Sequence, residues 1–544
     1  METGPKSRPK PVLCIILLLV VTISAGVYLA WVTDYAPWGF SDSAAYFSAA
    51  RNLAAGHGLN VSTVNNGYSP LNLHAPLYPF LLAPFAWYHA NLIHISKIMD
   101  VFFWVLFIFL NGGLFYHITH SQLGAVCFAL LCEFSYALVT SFSSLMSEPL
   151  ALVLGIPGYL LLVLSIKQRS FKLLLLSAVA IGLAVLTRYA FAALLAAGVL
   201  ALLIFSNQPW KRRWINPLVF ALVGAAPMGV WSMLQQIQQV QSGGRSLVIA
   251  DVLSKLRKFA SLVWDTVKYW VPYRSNMIPG VRADYFGPFV AVLLMVLVVA
   301  GFCLTIRKYR SDIFKDPVFI LAVSAALFIL AYFGVLLVSF TFTTSPNDIN
   351  DRILSPLLPM VFIVMICGFL LFGSAVKPGA VSSALVLVAT LFFVVFNFEL
   401  LRTFGIHSST YPNGYTSPYW NGNAIFEVIQ RLPAGTQVAS NAPDITLFYT
   451  NRMPFCLTEN STTKGNCLSA EDRTSLQDFV ERQCGVLLLF PNMPTVNYEN
   501  YKNPISQASM DNLTKLYPAI SRSSPGSILY WPECTDVSQA LAGG

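Results

Sequence analysis

Apolar runs close to ~20 residues long, the length an α-helix needs to cross a hydrocarbon core, recur through the first three quarters of the chain. They extend from VLCIILLLVVTISAGVYLAWV at 12–32 to ALVLVATLFFVVFNFEL at 384–400. In lipid each backbone polar group has to be satisfied inside its own segment, so such runs become helices. This feature confines the chain to the polytopic α-helical membrane proteins. Composition agrees, because only 11% of the residues are charged, against about 25% in soluble domains. The formal net charge of +9 is no sign of nucleic-acid binding, since the Lys and Arg gather between the apolar runs.

Spans are predicted near 11–32, 98–116, 122–141, 149–166, 172–188, 190–206, 215–234, 288–306, 317–340, 353–374 and 380–400, about eleven in all. The first follows Lys6, Arg8 and Lys10, and its Ser24, Ala25 and Gly26 resemble a cleavage site. The run continues through Tyr28 and Trp31, which favours a retained anchor. A Pro-broken stretch, PLYPFLLAPFAWY at 76–88, reads as a helix at the interface or dipping partly in. Basic residues fill alternate connections: Lys167, Arg169 and Lys172; Lys211, Arg212 and Arg213; Arg307, Lys308, Arg310 and Lys315; and Lys377. The positive-inside rule places these and the N-terminus in the cytoplasm. Residues 235–287 run against it, with Arg245, Lys255, Arg257, Lys258, Lys268, Arg274 and Arg282 in a loop assigned outside. Long loops count little toward orientation. Within that loop Val252, Leu256, Phe259, Val263, Val267 and Trp270 recur every three or four positions. That spacing gives an amphipathic helix, either on the membrane surface or packed as a lid on its neighbours.

The chain therefore divides into a transmembrane domain, 1–400, with outer loops at 33–97 and 235–287, and a small α/β domain, 401–544. In the latter, helical stretches at 420–431 and 470–483 alternate with strand-like TQVAS, GVLLLF and SILYW, as in a partly parallel sheet. An odd number of spans makes this domain extracytoplasmic, and the plasma membrane, a bacterial inner membrane, is the expected location. Cys456, Cys467, Cys484 and Cys534 all fall in it. Three pairings are open, and Cys456 with Cys467 closes the shorter loop. Cys14, Cys127, Cys132, Cys303 and Cys367 lie in or beside spans as packing residues. Sequons occur at Asn60, Asn460 and Asn512.

The stretch SDSAAYFSAARNLAAGHGL at 41–59 sets a carboxylate just past the first span. Asp42, Tyr46, Ala49 and Leu53 share one helical face. The bland reading is that Ser41 or Asp42 caps the helix and Gly56 or Gly58 ends it. Glu148 has an equally plain alternative, an acid in a first turn followed by Pro149.

The order of this stretch, APLYPFLLAPF at 75–85, SLMSEPLALVL at 144–154 and GLAVLTRYAFAALL at 182–195 resembles the GT-C membrane glycosyltransferases. The resemblance is to the branch of protein O-mannosyltransferases and of the aminoarabinose transferases that modify lipid A. It covers roughly residues 12–206, and NDINDRILSPLLPM at 347–360 resembles that family's late Arg-then-Pro stretch. It implies an enzyme that moves a sugar from a polyprenyl-phosphate carrier at the outer face. Asp42 then matches the family's acid in the first outer loop, with Tyr46 after it and Asp34 as the second choice. Glu148 matches an acid lining the donor cavity. The aminoarabinose branch carries an acidic–basic pair where this chain has Leu73, His74, Ala75 and Pro76. His74 remains a candidate phosphate contact, and a divalent metal is left open.

The chemistry suits these residue types. A sugar on a phosphate already has a good leaving group, so the acceptor hydroxyl needs a base, which a carboxylate supplies. The departing phosphate needs fixed cations, and Arg188 and Arg352 stand at predicted outer ends of spans. Snorkelling is the plain alternative for Arg188, and an ion pair with Asp348 or Asp351 for Arg352. A hexosyl or pentosyl transfer with inversion is expected, to a glycan, lipid or protein acceptor. A transporter or flippase, or a non-catalytic scaffold, would also need many spans. No internal repeat, P-loop or D-x-D element points toward them or toward a nucleotide-sugar donor.

Overall fold

The structure is a computed structural model. It describes residues 12–71, 73–205, 209–237, 251–268, 270, 283–343, 349–376, 380–459, 467–491, 493, 504–517, 519–523, 526–530 and 533–542. Two compact units emerge from the chain. One holds 12–32, 99–143 and 147–406; the other holds 33–98, 144–146 and 407–542. The first outer loop thus groups with the C-terminal α/β part.

In the first unit eight helices among the described residues are long and apolar enough to cross a membrane. They are Val12–Val32, Leu92–Thr119, Glu148–Gln168, Trp210–Ile237, Val292–Tyr309, Pro317–Phe342, Leu357–Val376 and Ala380–Thr410. A ninth follows if Gln122–Glu133 and Tyr136–Phe142, bent by 64°, form one broken span. The spans predicted at 172–188 and 190–206 are present as shorter helices. Phe171–Thr187 has 17 residues, and Ala192–Phe205 has 14 behind the 3-10 turn Tyr189–Phe191. At 1.5 Å per residue they reach roughly 25 and 21 Å. The last span continues to Thr410 rather than stopping near 400. Its extra turns are held because Leu401 and Phe404 are buried and the Leu401 carbonyl accepts from the Tyr28 hydroxyl.

Large side chains fill the bundle where helices stand apart, and small ones let them close. Trp104, Phe107 and Phe142 form one aromatic cluster. The buried Tyr159 hydroxyl donates to the Ser324 carbonyl, which satisfies a polar group that lipid could not. Phe171–Thr187 and Trp210–Ile237 meet at Gly182 and Gly224, where a methyl on Gly182 would strike the Gly224 carbonyl oxygen. The amphipathic helix is Val252–Val267. Phe259 packs on Phe340 and Lys255 Nζ donates to the Thr341 carbonyl, while Leu253 and Trp264 stay exposed. It is packed on a neighbouring helix through one edge. Arg245, Arg274 and Arg282 lie outside the described residues.

In the second unit a six-stranded mixed sheet forms the centre. Its order is Cys467–Ser469, Phe455–Thr458, Val438–Ser440, Val486–Leu489, Gly526–Leu529 and Ala519–Ser523. The first four strands pair in parallel and the last two antiparallel. The three strand-like stretches read from the sequence are three of these six. Leu457, Leu487, Val480 and Leu529 sit in its core. Cys456 is bonded to Cys467 across two neighbouring parallel strands, and Cys484 to Cys534. Asn460 lies outside the described residues.

The first outer loop is anchored to this unit by backbone. Gly39 bridges Gly414, and the Tyr415 N–H donates to the Gly39 carbonyl. Gly414 has φ +79°, and a Cβ there would overlap the Gly39 carbonyl. Position 414 therefore admits only glycine. Phe47 stacks on Phe448 and the Asn451 amide donates to the Asn52 side chain.

Candidate functional site

Asp42 lies in the first turn of the helix Ser41–Ala54. Phe40, not Ser41 or Asp42, occupies the N-cap, and the Ser43 hydroxyl accepts from the Phe40 N–H. Ser43 in turn donates to the Leu145 carbonyl. The capping role read for Asp42 from the sequence is thus taken by other groups. Gly56, with φ +84°, follows the C-cap Ala55 as a left-handed terminator.

Asp42 Oδ1 lies 3.2 Å from His74 Nε2, with 27% and 23% of the two side chains exposed. His74 precedes Pro76, the N-cap of the short helix Leu77–Trp87. The Tyr46 ring, one turn beyond Asp42, meets His74 edge-on at 5.2 Å and Tyr78 at 5.3 Å. The Tyr78 hydroxyl is 3.2 Å from Ser96 Oγ. Tyr46 and Tyr78 are buried, so the imidazole rests against a fixed aromatic wall. Asp34 is elsewhere: it is 77% exposed and its carboxylate is 3.7 Å from Lys97 Nζ. His57 stacks on Tyr68.

A second constellation belongs to the membrane unit. Glu148 is the first residue of Glu148–Gln168 and is 1% exposed. Its Oε1 contacts Arg188 Nη1 and lies 2.8 Å from Arg352 Nε. Arg188 ends the helix Phe171–Thr187 and Arg352 lies in the short helix Asp351–Leu354. These are charge contacts rather than well-angled hydrogen bonds, since neither Glu148 oxygen is aligned for one. The ion-pair rival for Arg352 resolves onto Glu148. Asp351 instead accepts from the Trp270 indole at 3.2 Å, and Asp348 lies outside the described residues. Burial pushes the Asp351 carboxyl above the usual carboxylate range, with the Trp270 hydrogen bond acting the other way.

Asp100 was not singled out from the sequence. It is fully buried on Leu92–Thr119, and neither of its oxygens has a hydrogen-bond partner among the described residues. It lies within electrostatic reach of Glu148. The signal was available as an acid inside an apolar run, which marks function or pairing. With all groups ionised, two guanidiniums face two carboxylates when Asp100 is counted, and one when it is not.

A catalytic zinc is ordinarily held by three protein ligands. Asp42 and His74 supply two, and among the described residues no group of three His, Cys, Asp or Glu could hold an ion.

No protein-family model matches the chain, and no curated protein does. Solved structures do match. ArnT from Cupriavidus metallidurans bound to undecaprenyl phosphate is 13% identical, with a TM-score of 0.53, over 95% of this chain and 97% of that one. The archaeal oligosaccharyltransferase AglB from Archaeoglobus fulgidus, in complex with an inhibitory peptide and a dolichol-phosphate, is 12% identical with a TM-score of 0.51. That match covers 95% of this chain and 74% of AglB. Both are GT-C enzymes. At these identities the likeness is one of fold, and at that level the resemblance read from the sequence holds along nearly the whole chain.

Proposed function

With the fold of the GT-C membrane glycosyltransferases as the premise, we propose that this integral membrane protein transfers a sugar from a polyprenyl-phosphate carrier to an acceptor hydroxyl. The reaction inverts the anomeric carbon and takes place at the outer face of the plasma membrane, with the N-terminus cytoplasmic. One observation carries the reading: Asp42 sits in a helix's first turn without capping it, partly exposed and paired with His74. A carboxylate so placed has work other than helix termination. The helix dipole favours its charge, and it assists removal of the acceptor's proton as the hydroxyl attacks. Tyr46 shapes this site. Arg188 and Arg352 hold the carrier phosphate through bidentate contacts, oriented by Glu148. Asp34, exposed and beside Lys97, is left without a role in the step. A glycan, a lipid and a protein all remain candidate acceptors.

Mass spectrometry of lipid-linked sugars and surface glycans in a deletion strain identifies donor and product. The purified enzyme then tests the residues, with binding of undecaprenyl phosphate measured in parallel. Asp42→Asn is expected to fold, bind the carrier and lose transfer by about 10²–10⁴-fold. Arg352→Ala is expected to lose carrier binding, and Asp34→Asn to keep both. Turnover near wild type in Asp42→Asn refutes the assignment. Accumulation of an untransferred lipid substrate on one leaflet, with no missing glycan, would favour a flippase.

A further inference from the structure

We propose that the break between Gln122–Glu133 and Tyr136–Phe142 carries a site for a monovalent cation of the size of Na⁺. A cavity of about 20 Å³ lies there, lined in part by Ser135, Trp270, Asp351 and Asn397, with Leu358 and Phe393 as apolar neighbours. Ser135 stands at the 64° bend and Asn397 on the last span, Ala380–Thr410. A volume of ~10–15 Å³ suffices for one water-sized particle. Backbone that leaves the helix at membrane depth is tolerated where it is buried in protein or lines such a space. In transporters, broken helices of this kind coordinate Na⁺.

Three of the lining residues hold an oxygen that no protein group satisfies. Ser135 is 2% exposed, and its hydroxyl makes no hydrogen bond among the described residues. Asn397 is also 2% exposed; its amide N–H donates to the Phe393 carbonyl, and its side-chain oxygen accepts from no described residue. Asp351 accepts from the Trp270 indole through Oδ1 alone, and no Lys, Arg or His among the described residues pairs with it. Burial therefore pushes its carboxyl up with no positive charge to offset the effect. A carboxylate taken from water without a counter-charge is costly, and a bound cation removes that cost. Carboxylate and neutral oxygens suit a hard cation. One negative charge among neutral oxygens matches a single positive charge. A transition metal would need a different set, since no cluster of three His, Cys, Asp or Glu is present among the described residues. The ion ties together the helix break, the last span and Asp351–Leu354, the short helix that carries Arg352.

The test follows equilibrium unfolding of the full chain in lipid nanodiscs, with NaCl exchanged for choline chloride at constant ionic strength so that screening does not change. None of the readouts uses transfer, so the site stands or falls apart from the proposed function. Wild type should gain stability with Na⁺ in a saturable way, its folded-to-unfolded ratio rising about tenfold at ten times Kd. Trp270 emission, taken as the difference between wild type and Trp270→Phe, should change over the same concentrations. Asp351→Asn should unfold at one midpoint in both salts and, in choline, should be the more stable protein, because no charge is left uncompensated. Ser135→Ala should match wild type in choline, where its hydroxyl has no partner, and bind Na⁺ about two- to tenfold more weakly. Equal wild-type stability in Na⁺ and choline overturns the site and leaves the cavity to water. A Na⁺ response that persists undiminished in Asp351→Asn overturns it as well, as does saturable stabilisation by Ca²⁺ with none by Na⁺. Should Asp351→Asn fail to fold, the comparison of the two salts on wild type still decides.

Discussion

Replacing Glu148 by Gln keeps shape and removes charge at a residue that is 1% exposed, between guanidiniums that are 15% and 32% exposed. Breaking a buried ion pair by deleting one partner costs about 3–5 kcal/mol, most of it from the charge left behind. The Arg352 contact is nearly one-third open to solvent, so its share is screened toward the surface range of about 0–1 kcal/mol. The loss of an acid from the first turn of Glu148–Gln168 adds about 0.3–1 kcal/mol. The total falls at about 3–7 kcal/mol, a shift of about two to five decades in the folding equilibrium. Equilibrium unfolding of the protein in lipid nanodiscs, followed by tryptophan fluorescence, measures it. Glu148→Gln combined with Arg188→Gln should recover part of the loss, since the second change removes the stranded charge. A loss below about 0.5 kcal/mol, or strict additivity of the two changes, would show the trio to be a solvated surface pair and refute the reasoning.

Gly182→Ala drives a methyl to 2.6 Å from the Gly224 carbonyl oxygen; with backbone as the obstacle, a loss of about 1–3 kcal/mol is expected in the same unfolding assay. The folded pKa of Asp351 is raised from 3.8, so its contribution to stability is present below that value and lost as pH rises through the folded pKa. Asp351→Asn keeps an acceptor for Trp270, and its unfolding midpoint should overtake wild type as pH rises from 4 toward neutrality; a gap that shrinks instead contradicts the sign. Opening Cys484–Cys534, 50 residues apart, should cost about 4 kcal/mol in the chain-entropy model, against about 3 for Cys456–Cys467, 11 apart. Non-reducing peptide maps that recover the four as free thiols would remove both bridges. Cysteine labelling in intact cells should protect 211–213 and 307–310 and modify 42, 260 and 440; protection of 440 together with 211 puts both on one side and refutes the proposed topology.

The sequence by itself determined the solvent and the spans, because lipid leaves a backbone one local solution and a run of apolar residues declares it. It also identified Asp42, Tyr46, Glu148, Arg188 and Arg352 as candidates through residue type, order and the resemblance. What it left open was pairing, which depends on contacts between distant segments. Asp42 and His74 are 32 positions apart and Glu148 and Arg352 more than 200, so no local periodicity links either pair. The cap at Phe40 is likewise decided by Ser43, which is itself held by the Leu145 carbonyl from another loop. Asp100 stayed hidden for the converse reason: one acid scarcely alters the hydropathy of a span, and only packing shows that both its oxygens are sealed from water without a hydrogen-bond partner among the described residues. Three of the six strands of the mixed sheet, Phe455–Thr458, Cys467–Ser469 and Ala519–Ser523, escaped notice, because pieces of three to five residues are too short to show alternation. They are strands only because a neighbour supplies the ladder and, at Cys456 and Cys467, a covalent bond.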